Sequence, residues 1–199
     1  MDMQDLVRVN HLWARIYPFI ADQILSHYLK KDGDVLEWGP FSGGISFALL
    51  DRKPGMKITI AVESAEVFSV METELSERKL TGKIRLMKSA LVPLVYADSS
   101  FDLVIVRGGY FFLDPEGESL REIFRVLKKG GIAFVGGGYG KGTPQEIIDE
   151  IAGESRILND RLGRIRVSVN ELEKMIGRSG LKPHTRVIEE GGLWLLINK

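Results

Sequence analysis

The 199-residue chain contains no cysteine. That excludes disulfides, thiolate zinc sites, a cysteine nucleophile and a cysteine-ligated iron–sulfur cluster. It also lacks net charge. Its 27 basic residues balance 27 acidic ones, so no global field draws it to nucleic acid or to a membrane surface. No apolar run approaches the ~20 residues that span a bilayer. The opening Met1-Asp2-Met3-Gln4-Asp5 is acidic and lacks the basic-then-apolar order of a signal peptide. These absences predict a cytoplasmic protein. His11, His27 and His184 are scattered without metal-ligand spacing, so no metal is expected. Repeats, low-complexity segments and linkers are missing too. One domain over residues 1–199 is the simplest reading, long enough for a sizeable core.

What is present alternates between two periods. Leu12, Ile16, Ile20, Ile24 and Tyr28 recur every four residues, a helical face, and Pro18 splits it into two helices, the second starting near Pro18. After the turn Lys30–Gly33, strands are predicted at Val35–Trp38, Ile58–Val62, Ile84–Met87, Leu103–Val106 and Ile132–Val135. Between them fall a helix near Ile45–Leu50 and one capped by Ser64 with Val67, Val70, Met71 and Leu75 inward. A third has Leu120, Ile123, Phe124 and Leu127 inward and ends at Gly130-Gly131. Thr143-Pro144-Gln145-Glu146 reads as a capping box with proline at the first helical position, and another helix covers roughly Asn170–Arg178. Thr185–Ile188 and Leu193–Asn198 read as a β-hairpin. The alternation implies a mostly parallel sheet with helices on both faces and antiparallel strands at the end.

The densest signal is Asp34-Val35-Leu36-Glu37-Trp38-Gly39-Pro40-Phe41-Ser42-Gly43-Gly44: a buried strand ending in an acid, a glycine turn, then a helix start at Ile45. The unpaired N–H groups of a helix start suit a cofactor loop. A second acid, Glu63, closes the next apolar run. It lies about 20 residues past Gly43, the spacing at which a carboxylate grips a ribose diol. Its alternative is capping of the following helix. The glycines do not fit G-x-G-x-x-G, which counts against NAD. These residues point to a nucleoside-bearing cofactor and go no further.

The order of motifs resembles the class I S-adenosylmethionine-dependent methyltransferases, closest to the small-molecule branch called methyltransferase type 11 or 25. Four pieces carry the likeness: Val35–Gly43, Ala61-Val62-Glu63-Ser64, Ser99–Val104 and Arg125–Gly131. The resemblance implies a Rossmann-like, mostly parallel seven-stranded sheet with a C-terminal antiparallel hairpin. It implies S-adenosylmethionine as cofactor, S-adenosylhomocysteine as product, and N-terminal helices, residues 1–30, covering the cofactor site. It assigns to the cofactor Glu37, Gly39, Pro40, Phe41, Gly43, Glu63, Ser64, Ser89, Ala90 and Arg107, with Tyr17 at the methionine carboxylate. The sequence departs from the family pattern at two of these. Phe41 replaces the middle glycine of the first motif, and Ser89 stands where an aspartate is usual beside the adenine.

The acceptor side is read from Val106-Arg107-Gly108-Gly109-Tyr110-Phe111-Phe112, the loop after the fourth strand, which faces the methyl group in this topology. Arg107 is either an anchor for an anionic acceptor or a partner in a structural salt bridge. Tyr110 and Tyr139 complete the expected acceptor pocket, with Phe111 and Phe112 in the core. The loop lacks the Asn/Asp-Pro-Pro-aromatic signature of enzymes that methylate nucleic-acid or glutamine amino groups. Arg161, Arg164 and Arg166 read as a solvated face. The expected acceptor is therefore a small molecule, with no nucleic acid and no membrane as partner, and no oligomeric state is indicated. No residue stands out as a general base, so none is assigned to catalysis. The alternatives are a non-catalytic binder of the same fold, or another nucleotide-cofactor chemistry such as aminopropyl transfer or reduction.

Overall fold

The computed structural model describes residues Asp2–Lys199, apart from the side chain of Tyr110. Two helices, α1 (Met3–Trp13) and α2 (Tyr17–His27), precede β1 (Gly33–Trp38), α3 (Gly44–Arg52), β2 (Met56–Val62), α4 (Ala65–Glu77), β3 (Ile84–Lys88) and β4 (Phe101–Arg107). A 3₁₀ turn, Gly109–Phe111, leads to α5 (Glu118–Val126), β5 (Leu127–Gly137), α6 (Gln145–Arg161) and α7 (Val169–Ser179), and a second, Lys182–His184, leads to β6 (Thr185–Ile188) and β7 (Leu193–Asn198). The strands form one seven-stranded sheet in the order β3-β2-β1-β4-β5-β7-β6. Pairings from β3 to β5 are parallel, and β7 runs antiparallel to both β5 and β6. Pro18 sits in the first turn of α2, where its missing N–H costs nothing.

Side chains alternate across the sheet and build a core on each face. On one face Val35, Ile58, Ile105 and Phe134 meet α1, α2, α3, α4 and α6. On the other, Leu36, Val104 and Ala133 meet α5 and α7. Burial on both sides explains why β4 is unbroken apolar sequence apart from Asp102 and Arg107. Asp102 ties the amino ends of the strands together. It accepts hydrogen bonds from Lys30 Nζ (2.6 Å), Lys128 Nζ (2.8 Å) and the Asp34 N–H (3.0 Å).

The sheet order reverses between β1 and β4. Ligands of open α/β sheets bind outside the carboxyl ends at such a point. The loops after β1 and β4 both open there.

Four local expectations need correction. Helix α5 ends at Val126, so Leu127 opens β5 and does not face inward from a helix. Gly130 and Gly131 lie inside that strand. Gly130 adopts φ +74°, and the pair exchange backbone hydrogen bonds with Lys199. Phe124 is only half-buried, and Val70 is 39% exposed. No capping box forms at Thr143: its hydroxyl donates to the Tyr139 carbonyl, and Pro144 occupies the cap position itself. The reciprocal box is made by Ser168 and Glu171 at the start of α7.

Candidate functional site

Glu37 is fully buried on β1, between Ile60 of β2 and Ile105 of β4. Its Oε2 accepts three hydrogen bonds: from the Gly43 N–H (3.0 Å), the Ser46 N–H (3.0 Å) and the Ser46 hydroxyl (2.5 Å). A carboxylate thus satisfies N–H groups at the start of α3, where the helix dipole also favours negative charge. Burial raises the Glu37 pKa, opposed by the Ser46 hydroxyl, the two N–H donors and the charge of Arg107. Oε1 is equally buried and has no partner among the described residues. Gly39 (φ +115°) and Gly43 (φ +104°) take backbone conformations that side-chain-bearing residues rarely adopt, so the loop needs glycine at both. Asn10 of α1 reaches down to this loop, its amide donating to the Pro40 carbonyl (3.3 Å).

Beside the loop lies a cavity of about 270 Å³ lined by Trp38, Pro40, Val62, Glu63, Ser64 and Phe112, among others. Glu63 is exposed and makes no hydrogen bond or ion pair among the described residues. The cap of α4 is supplied by Ser64, whose Oγ accepts from the Glu66 (3.2 Å) and Val67 (3.4 Å) N–H groups. Capping therefore does not occupy the Glu63 carboxylate. Ser89 is buried. Its hydroxyl donates to the Ala90 carbonyl (2.8 Å) and accepts from the Val95 N–H (3.3 Å), while its carbonyl accepts from Trp38 Nε1 (3.0 Å). It organises its own loop, and half-buried Ala90 follows it.

Phe41 is fully buried, and its backbone is not in the left-handed region that would have demanded glycine. Its ring packs against Trp13 (centroids 5.5 Å apart) and Phe111 (5.1 Å). A Cβ on Gly108 would come within 2.4 Å of that ring, so the missing side chain at 108 makes room for the extra one at 41. Tyr17 is buried against the start of α3, and its hydroxyl donates to Asn10 Oδ1 (3.3 Å).

Arg107, at the end of β4, is 3% exposed. Its guanidinium lies over the Trp13 ring (3.9 Å) and near that of Tyr17 (5.2 Å). Burial lowers its pKa from the ordinary value, opposed by Tyr17 and Glu37. No carboxylate pairs with it among the described residues, and its Nε has no hydrogen-bond partner. The structural salt bridge anticipated as an alternative is therefore absent there. Arg107 borders a second cavity, about 410 Å³, with Trp13, Phe111 and Tyr139. Tyr139 is half-buried after β5. The side chain of Tyr110, also expected here, lies outside the described residues.

More of this cavity comes from α6 and the turn after it, where Arg164 and Arg166 were expected on a solvated face. Asn159 and Arg156 of α6, and Arg164 and Arg166 after it, all line it. Arg161 instead turns away to pair with Asp5 of α1 (2.6 Å). Spacing along the chain could not separate these arginines. Only the end of α6 at Leu162 and the reversal at Gly163 (φ +88°) decide which face the cavity.

Comparison with known proteins agrees with the geometry. A family model described as a methyltransferase domain matches residues 36–135, half of the chain. The ubiquinone/menaquinone biosynthesis C-methyltransferase UbiE of Stenotrophomonas maltophilia (strain R551-3) is 32% identical over 138 residues, 67% of this chain and 51% of the relative. The chain thus spans about half the length of the curated relatives it matches. A Methanococcus maripaludis structure classed with the S-adenosylmethionine-dependent methyltransferases superposes with a TM-score of 0.83. It covers 100% of this chain and 93% of its own, at 25% identity. An S-adenosylmethionine-dependent methyltransferase structure from Aquifex aeolicus shares the fold, with a TM-score of 0.64 over 99% of this chain and 97% of its own, at 18% identity.

Proposed function

We infer that this chain, which belongs to the methyltransferase-domain family, transfers a methyl group from S-adenosylmethionine to a small-molecule acceptor. The observation that carries the reading is the pairing of a glycine loop, tied down by Glu37, with the unengaged carboxylate of Glu63 across one cavity. Glu63 suits the ribose diol, since one carboxylate accepts two hydroxyl donors. The orphaned Oε1 of Glu37 suits the cofactor's ammonium group. Gly39, Pro40 and Gly43 shape the loop, Ser64 fixes the helix behind Glu63, and the Ser89-Ala90 backbone borders the adenine. Residues 1–30 roof the site. Asn10 and Tyr17 are linked to each other beneath that roof, and Asn10 also holds the Pro40 carbonyl.

When bound, S-adenosylmethionine supplies a methyl group on a sulfonium, already activated for in-line displacement. The chain's own work is to orient the acceptor and exclude water. Trp13, Phe41 and Phe111 form an apolar wall beside Arg107. Arg107, a buried cation with no carboxylate in direct contact among the described residues, anchors an anionic group of the acceptor. The cavity it borders has neither carboxylate nor histidine among its described lining residues, so neither kind of base serves the acceptor atom from that lining. That same gap favours a non-catalytic binder as the second reading.

The C-methylation named for the curated relatives is not carried over. The chain spans only 51% of such a relative, and the arginine wall of the cavity, residues 156–166, lies beyond the part that the family model matches, residues 36–135. Nucleic acid is not the acceptor either, because formal charge is zero and few phosphates could be neutralised together. Calorimetry tests the cofactor reading. S-adenosylhomocysteine should bind at micromolar concentration, about −8 kcal/mol. Silence at millimolar ligand, with binding of NAD instead, would refute it.

A further inference from the structure

The acceptor cavity holds more positive charge than one anchor needs. Arg107 sits at its inner end, and Arg156, Arg164 and Arg166 approach from the α6 side. The anions available to these four are few. Asp160 pairs with both Arg164 (3.1 Å) and Arg166 (3.3 Å). Arg156 makes no ion pair among the described residues, and neither does Arg107. The carboxylates nearest along α6 are already engaged. Glu150 is held by Arg15, and Glu154 by Arg8.

Two of the four present buried nitrogens with nothing to donate to. Arg107 Nε is one. Arg164 Nε is the other, although that side chain is only partly covered. A buried donor without an acceptor costs free energy unless a ligand or water completes it. Both residues line the same cavity. A further cavity, about 340 Å³, shares Tyr139, Ser155, Arg156 and Arg164 with the first, so the outer arginines stand where the two volumes join. The same lining also has apolar members, Trp13, Phe111, Val167 and the 57%-exposed Ile165.

We propose that the methyl acceptor is a small molecule bearing at least two negative charges, one met by Arg107 and the others by the Arg156–Arg164 pair at the cavity mouth. This rests on the reading of Arg107 as the acceptor anchor and extends it to a second subsite. Carboxylate and phosphate share the required chemistry, since a planar guanidinium binds either in a two-pronged fashion. An apolar or aromatic body carrying the charged groups fits Trp13, Phe111 and Val167 of the lining.

The test uses the full chain saturated with S-adenosylhomocysteine and titrated at constant ionic strength. The probes are pyrophosphate, tricarballylate and acetate. At least one polyanion should bind no less than tenfold more tightly than acetate. Arg156→Ala and Arg164→Gln should each weaken that polyanion by roughly tenfold, the loss expected for one charge-assisted contact, and should leave acetate and S-adenosylhomocysteine within twofold. Arg107→Ala should weaken acetate as well. A response to pyrophosphate alone identifies a phosphorylated acceptor, and one to tricarballylate alone a polycarboxylate. Polyanions binding no better than acetate, or binding unchanged in the Arg156 variant, overturns the second subsite while leaving the Arg107 anchor intact. Failure of S-adenosylhomocysteine itself to bind would instead strike the underlying methyltransferase reading. Arg156 is exposed and unpaired, so its variant decides the matter even if Arg164→Gln does not fold.

Discussion

Replacing Phe41 by glycine, the residue usual at this place in the family, should cost stability and spare the cofactor. The ring is fully buried between Trp13, Phe111 and Gly108. Truncating a buried phenylalanine to alanine costs about 3–5 kcal/mol, and glycine adds about 0.5–1 kcal/mol of lost backbone order. Gly108 offers no side chain to refill the void, so the upper part of that range applies. For a chain of this size each kcal/mol lowers Tm by about 2–4 °C, which predicts a fall of roughly 10–20 °C by calorimetry. The cavity beside Glu63 is bordered by Pro40 and Phe112 but not by Phe41. S-adenosylhomocysteine affinity, measured well below the lowered Tm, should therefore stay within about threefold, roughly 0.6 kcal/mol. A Tm drop under 2 °C would mean that the ring is not packed as described. Loss of binding in a protein that remains folded would make Phe41 a cofactor contact.

Other outcomes follow from the same geometry. Glu63→Ala should weaken S-adenosylhomocysteine by roughly 1.5–3 kcal/mol with Tm nearly unchanged, because the carboxylate is exposed and holds nothing else in the fold. Unaltered affinity would place the ribose elsewhere. Arg107→Ala should raise the acceptor KM and leave cofactor affinity nearly unchanged, and cofactor loss in that variant would count against the acceptor assignment. Acid should destabilise the fold through two carboxylates. Asp102 is held down to about 2 because hydrogen bonds from Lys128, Lys30 and the Asp34 N–H outweigh the effect of its burial. Asp114 lies at about 2 because bonds from Ser119 and Glu118 likewise outweigh burial. Their depressed values add stability that is complete above about pH 4 and lost as pH falls toward 2, about 1–2 kcal/mol each once solvent screening is allowed for. Urea midpoints between pH 6 and pH 2.5 measure this, and Asp102→Asn should flatten the slope.

The glycine loop and the placing of Glu63 were legible because local pattern determines them. An acid in a buried strand, glycines with positive φ and an acid after the next strand are all readable over a few residues, and the sheet order follows from alternating elements. Of the cavity that Arg107 borders, only Arg107 and Tyr139 were legible. Arg156, Arg164 and Arg166 belong to the cavity because of where α6 ends and turns, a tertiary fact with no short-range signature. Leu127 was misplaced for a related reason. Val126-Leu127 continues a helical period, but pairing of Leu127 with Phe101 makes it a strand residue. Phe41 looked like a defect in a glycine motif because its compensating partner, Gly108, lies far along the chain.

The way α1 is fastened gives the two halves of the molecule different sensitivities. Three exposed ion pairs, Arg8–Glu154, Arg15–Glu150 and Arg161–Asp5, clip the first helix and the turn after it to α6. Each contributes at most about 1 kcal/mol and is screened by salt, whose reach shrinks from about 10 Å at 0.1 M to about 3 Å at 1 M. The core of the sheet beneath is apolar on both faces and indifferent to such screening. Ionic strength therefore acts as a selective solvent for the roof. Concentrated salt loosens the helix that carries Trp13 over Arg107 while the strands that carry Glu37 stay fixed, and faster amide exchange confined to residues 3–13 is how that loosening would register.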